Sequence, residues 1–244
     1  MEPGISSSAA LVYHRYLALA GAGSFDAQHG LGGKLVYAGE MADAFSLLRA
    51  ANIAGAASLA ASADAAVPRQ ALRDGVVDFI VTSLDEALRI LKNEIRKQQP
   101  VSVCVSAPPA MIAGQMLERG VLPDLLCTSA ADGTIEREFL QQGSRRVAES
   151  MPLGGSYLQW SVDRDFSRWM PLLDACAQSV LLPEDALRQR WLRLASRYLG
   201  REAQRVHGVA MGLEEPARFR DAVKRMLARE VRDVATAPAV SIDA

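Results

Sequence analysis

The chain alternates short unbroken apolar runs with longer stretches whose apolar positions recur every three to four residues. Residues 34–38 form a β-favouring run opened by Gly32 and Gly33 and closed by Gly39, and residues 42–57 have the Ala and Leu content of a buried helix. A strand, a tight turn and a helix follow from that pattern. Ahead of them, Ser6, Ser7 and Ser8 can cap a helix over residues 9–20, with Leu11, Tyr13, Tyr16, Leu17 and Leu19 at near-helical spacing. Residues 58–61 read as a weak second strand, 68–73 as a short helix stopped by Gly75, and 77–81 as a buried strand. Ser83 and Glu86 make a capping box, each satisfying a free N–H, for a helix reaching about Gln98. Residues 101–105 are apolar enough to be covered on both sides, Pro108 and Pro109 open a helix through Glu118, and 125–127 is a further strand. Strands separated by helical segments imply parallel crossovers, so the pattern predicts a doubly wound, Rossmann-like α/β sheet over residues 32–133.

From Thr134 onward strand signals fade. Residues 136–149 read as a charged helix, a second helical stripe includes Phe166, Trp169, Met170, Leu173 and Cys176, and a third follows Pro183 with Leu187, Trp191, Leu194, Ala195 and Tyr198. Pro216 starts the last helix, reaching about Val231. The expected organisation is an N-terminal helix (1–31) belonging to a smaller, mostly helical region (134–234), the α/β sheet (32–133) inserted in it, and a loose tail (235–244).

Composition narrows the partners. Half the residues are hydrophobic, about a quarter are charged, and the formal net charge is -1, so there is no general electrostatic drive toward nucleic acid. Arg188, Arg190, Arg193, Arg197, Arg201 and Arg205 are expected on a solvated helix face. No window holds the roughly 18 apolar residues that cross a membrane. Cys104, Cys127 and Cys176 lack CxxC spacing and are expected to be reduced thiols. With no secretory leader pattern at the start, a cytoplasmic location is the expectation.

The opening turn carries the candidate chemistry. In an open parallel sheet the turn after the first strand presents helix N–H groups to an anion such as a diphosphate, and glycines along it let backbone and phosphate approach. Here the turn reads Gly-Glu-Met-Ala-Asp-Ala-Phe from Gly39, placing Glu40 and Asp43 where they would repel a phosphate.

Collinear motifs across the chain are similar to urocanase, the NAD-containing lyase of histidine breakdown. They are LVYHRYLALAGAGSF from Leu11, KLVYAG from Lys34, ANIAGAASL from Ala51, SLDEAL from Ser83, MLERGVLPDLLCTSA from Met116, LQW from Leu158 and LPEDALRQRWLRLA from Leu182. The resemblance implies a Rossmann-like NAD-binding domain within a mostly helical core. It also implies a lost cofactor site. The family's NAD turn, GLGGMGGAQP, falls on residues 39–48, where only Gly39 survives. Its ribose-binding acid falls on Ser62, a cofactor-contacting arginine on Val67, an Asn-Ala pair on Pro108 and Pro109, and the active-site cysteine on Pro152. A further cofactor loop is kept as Thr128, Ser129, Ala130 and Asp132, with its histidine replaced by Ala131. Gly39, Glu40 and these four are the candidate cofactor-site residues, with no catalytic or metal-binding residue expected and no NAD bound.

The family's amino-terminal region and glycine-rich carboxyl-terminal segment have no counterpart in the sequence. The resemblance therefore predicts a binding, regulatory or partner subunit without hydratase activity. The alternative is a protein using the same crevice, near Glu40, Ser106 and Thr128, for another small anion or nucleotide. A homo-oligomer, or a complex with another urocanase-like chain, is the expected assembly. His14 and His207 read as structural, His29 as the better-placed histidine, Asp163 and Asp165 as helix caps, Gly154-Gly155-Ser156 as a loop able to bind an anion, and Gly32-Gly33 as a plain turn.

Overall fold

The structure is a computed structural model and describes residues 8–127, 133–148, 155–230 and 240–243. The chain forms two compact units, one of His14–Met151 and one of Met1–Tyr13 with Pro152–Ala244. Helix α1 (Ser8–Ala22) spans the division.

The larger unit holds a six-stranded parallel sheet of β1 (Leu35–Glu40), β2 (Ala57–Ala61), β3 (Phe79–Val81), β4 (Val101–Val105), β5 (Leu125–Leu126) and β6 (Arg145–Arg146), in spatial order β3-β4-β2-β1-β5-β6. Every residue of β2 and β4 is buried because helices cover both faces, which is why their sequences are nearly unbroken apolar runs. The crossovers are α2 (Phe45–Ala54), α3 (Ala66–Arg73), α4 (Leu84–Arg96), α5 (Pro109–Glu118) and α6 (Gly133–Gln141). Leu35, Tyr37, Leu59, Val103, Leu91, Ile112, Met116 and Phe139 meet in one core. The serines of the central strands are satisfied inside it: Ser58 Oγ lies 2.9 Å from Ser102 Oγ, and Ser102 Oγ donates to Asn52 Oδ1 at 3.0 Å.

Local signals account for the element ends. Ser83 Oγ accepts the Glu86 N–H at 3.3 Å, while Glu86 reaches back to the Thr82 N–H at 2.9 Å. Gly55, at φ 95°, closes α2 in the left-handed conformation and gives its N–H to Ala51 and Asn52 carbonyls. Pro108 caps α5, and the Pro109 carbonyl accepts the buried Tyr37 hydroxyl at 2.9 Å.

The second unit adds a sheet to the mostly helical region expected there. It contains a three-stranded antiparallel sheet, order β8-β7-β9, made of β7 (Ser156–Val162), β8 (Val206–Met211) and β9 (Val240–Asp243). Against it run α7 (Met170–Val180), α8 (Ala186–Tyr198) and α9 (Glu215–Glu230). Leu158, Trp160 and Val162 alternate inward along β7, and the LQW motif therefore belongs to a strand. Part of the tail expected to be loose is β9, with Ile242 paired to Trp160. The helix expected over 136–149 ends at Gln141, and Arg145 and Arg146 form β6 instead.

Two charged sets differ from expectation as well. Arg190 is buried and Arg188 is paired with Asp185 and Glu215, so these two do not lie on a solvated face. Asp163 stands at the start of a 3₁₀ turn (Arg164–Trp169) without a side-chain capping bond.

Candidate functional site at the sheet switch point

The strand order fixes where a ligand can enter. The chain moves from β1 to β2 on one side of the sheet and returns to β5 on the other side of β1, so a crevice opens beyond the carboxyl ends of β1 and β5. A cleft of about 260 Å³ lies there, lined by Arg15, Ala38, Glu40, Asp43, Leu47, Leu126, Cys127, Arg146, Val147 and Ala148. All belong to the larger unit.

Gly39 and Glu40 owe their positions to a bulge. The β1–β2 register steps from Tyr37–Leu59 to Gly39–Ala60, skipping Ala38, and Gly39 takes φ 70°, a left-handed conformation that is costly for any residue with a Cβ. The bulge turns Glu40 toward the cleft. Its carboxylate caps the 3₁₀ turn Met41–Asp43 by accepting the Ala42 N–H at 3.4 Å. Met41 is fully buried beneath, and α2 begins one residue after the turn, with Ala44 between.

Two arginines, Arg15 and Arg146, are among the residues lining the cleft. Arg146, on the edge strand β6, pairs with the buried carboxylate of Glu136. Arg15 comes from α1, and its charge acts on the Cys127 thiol; burial outweighs that effect and pushes this thiol up to about 12. On the opposite side, burial first and the Glu40 carboxylate second push the Cys104 thiol up to about 12. Glu40 and Asp43 thus line the β1 side of the cleft, and Arg146, paired with Glu136, lines the β6 side.

Glu40 lines the cleft, while Gly39, next to it in the bulge, does not. Thr128, Ser129, Ala130 and Asp132 lie outside the described residues, as do Ala131, Pro152 and Gly154. Ser106 is exposed at the end of β4 and does not line the cleft. Among the described residues, Asp43, Arg15 and Arg146 are the other charged residues of the lining. Arg146 carried no sequence signal, because a two-residue polar strand has no periodicity.

The remaining candidates have local roles. His29 sits in a turn whose backbone N–H donates to Asp26 Oδ1 at 2.6 Å. His207 is buried in β8 with Nδ1 2.8 Å from Asp174, which also accepts the Trp160 indole N–H at 3.0 Å. Gly155 has its backbone against the Met211 carbonyl, and Ser156 pairs with Met211, so this part of the expected anion loop joins a sheet. Among the described residues no group of three or more His, Cys, Asp or Glu is placed to hold a metal, and no helix is long and apolar enough to cross a membrane.

Strands β1 to β5 and the turn after β1 fall within residues 12–135, which match the sequence profile of the Urocanase Rossmann-like domain. That match spans 124 of the 244 residues, more than half. The chain therefore belongs to the urocanase family.

Proposed function

We propose that this urocanase-family chain does not hold NAD or hydrate urocanate, and that it acts as a binding or partner subunit whose switch-point cleft receives a smaller ligand. The observation that carries this reading is the Glu40 carboxylate. It accepts the Ala42 N–H in the turn where the family places a diphosphate, so the protein's own anion takes a donor that a phosphate would need. NAD does not fit the residues present. Met41, Ala42 and Asp43 carry side chains where close backbone approach calls for glycine. A phosphate within about 4 Å of Glu40 or Asp43 would meet roughly 4 kcal/mol of repulsion per charge pair at an effective dielectric of about 20. The cleft, about 260 Å³, is also below the ~300 Å³ at which pockets for drug-sized ligands begin.

Calorimetric titration with NAD, paired with an absorbance assay of urocanate consumption, tests the reading. Neither binding at millimolar NAD nor turnover is expected. Purification with NAD attached, or micromolar affinity for it, would overturn the proposal.

A further inference from the structure

The six-stranded sheet has two edges, and they are built differently. Edge strand β6 consists of Arg145 and Arg146, both exposed, and charged side chains on an edge keep foreign strands away. Edge strand β3 is Phe79-Ile80-Val81, with no charge, proline or bulge. Asp78, just before it, does not guard the edge, because its carboxylate turns inward and accepts the Ser102 N–H of β4 at 2.8 Å. Among the described residues no strand pairs with the outer side of β3, so backbone N–H and C=O groups face outward there.

Apolar surface flanks that edge on both faces. The chain passes from β2 outward to β3 and back to β4, so right-handed crossovers place α3 and α4 on opposite faces of the sheet. On the α4 face Val81 packs against the core, while Phe79, two residues earlier on the same face, stays 47% exposed. On the other face α3 carries Leu72, 46% exposed.

We propose that β3 pairs edge to edge with β3 of a second copy of this chain, antiparallel about a two-fold axis, so that two sheets join into one. The geometry selects a copy as the occupant. An antiparallel pair centred on Ile80 is self-complementary: it sets Phe79 of each chain opposite Val81 of the other, an aromatic side chain on a β-branched one, and brings the two Leu72 side chains to the same face. Charge does not oppose it. Arg69 and Arg73 of α3 are balanced by Asp64 and Asp74 at its ends, and a formal net charge of -1 gives two copies little mutual repulsion. A ladder of three residues is short, so the association is reversible rather than obligate. The proposal goes beyond the function proposed above and depends on the sheet edge, not on the cleft.

Sedimentation velocity of the full chain from about 1 to about 200 μM, the range in which small interfaces associate, should show monomer giving way to dimer. Phe79→Lys puts a charge on this edge, as β6 already has, and should weaken self-association at least tenfold. Leu213→Lys, at a fully exposed leucine of the other unit, should leave it unchanged. Hydrogen exchange of the unsubstituted chain reads the same edge without a variant: amides of residues 79–82 should exchange at least tenfold more slowly at the dimeric concentration than at the monomeric one. A chain that stays monomeric throughout, a dimer that Phe79→Lys leaves intact, or edge amides indifferent to concentration would overturn the proposal. None of those results would touch the reading of the NAD turn, which the NAD titration decides separately.

Discussion

Replacing Glu215 should destabilise the second unit strongly, in a way that depends on pH. Glu215 opens α9 and collects three donors: Oε2 accepts from Arg188 Nη1 at 2.5 Å and from the Gly212 N–H at 2.8 Å, and Oε1 accepts from Arg188 Nη2 at 3.1 Å. The two side chains are only 19% and 11% exposed, so water cannot replace the lost carboxylate fully. Breaking such a buried pair costs about 3–5 kcal/mol. Arg188 would keep Asp185 Oδ2 at 2.5 Å and the Ala210 carbonyl at 3.0 Å, which places Glu215→Ala near the lower end, about 3 kcal/mol.

All three tryptophans, Trp160, Trp169 and Trp191, lie in this unit, so fluorescence during urea unfolding reports on it. With a urea slope of about 2 kcal/mol/M, the midpoint should fall by about 1.5 M. Burial alone would raise the Glu215 carboxyl, but the Arg188 guanidinium and the Gly212 N–H outweigh it and hold the group below its ordinary value. The stabilisation is therefore complete above the unfolded carboxyl's titration, about pH 4.3, and is lost as pH falls through the lower folded value. The gap between the parent chain and Glu215→Gln should be widest at neutral pH and close under acid conditions. A loss below about 1 kcal/mol at neutral pH, or a gap that widens on acidification, would refute the reasoning.

Other perturbations test other parts of the structure. Asp174→Ala strands the His207 Nδ1 and Trp160 indole donors, buried groups that cost about 1–3 kcal/mol each when unpaired, so urea unfolding should show a loss above about 2 kcal/mol. Gly39→Ala forces a Cβ into a left-handed φ of 70° and should cost about 1–2 kcal/mol, read as a lower melting temperature by far-UV circular dichroism; an unchanged melt would count against the bulge. Burial pushes the Cys104 and Cys127 thiols up to about 12, leaving roughly one thiolate in ten thousand at pH 8. Iodoacetamide should therefore modify Cys176 ahead of both, and equal labelling of Cys127 in peptide mass spectra would contradict this.

The sheet was legible where burial on both faces left unbroken apolar runs, as in β1 and β4, and where helix-start signals such as Ser83 and Pro108 have a direct backbone role; the expected helix over 42–57 instead ends at Ala54, before the left-handed Gly55. The second unit was not. Strand β7 has its period of two in Leu158, Trp160 and Val162, but β8 is interrupted by Gly208, where an added Cβ would lie 2.5 Å from the Tyr157 ring. A glycine required by a cross-strand neighbour looks like a loop until that neighbour is placed. Strand β9 is four residues long, alternately half-buried and exposed, and is defined only by its pairing with β7. At the cleft, Glu40 was readable because it occupies a turn of known purpose. Arg15 and Arg146 depended on the spatial order β2-β1-β5-β6, which no local pattern encodes.

That contrast bears on why Gly39 alone remains from the family's glycine-rich turn. Glycines in such a turn serve two ends: some relieve the backbone, and others make room for phosphate. Gly39 relieves the backbone, since the skipped Ala38 and the φ of 70° belong to the β1–β2 register whether or not a ligand is present. The later positions face a ligand that, on the proposed reading, no longer arrives, so nothing opposes Met41 filling the core or Asp43 entering the cleft lining. Loss of the dinucleotide would then remove the glycines of the second kind and keep the first. A stability cost at Gly39 together with no NAD binding is the pair of results this division requires; either one alone would break it.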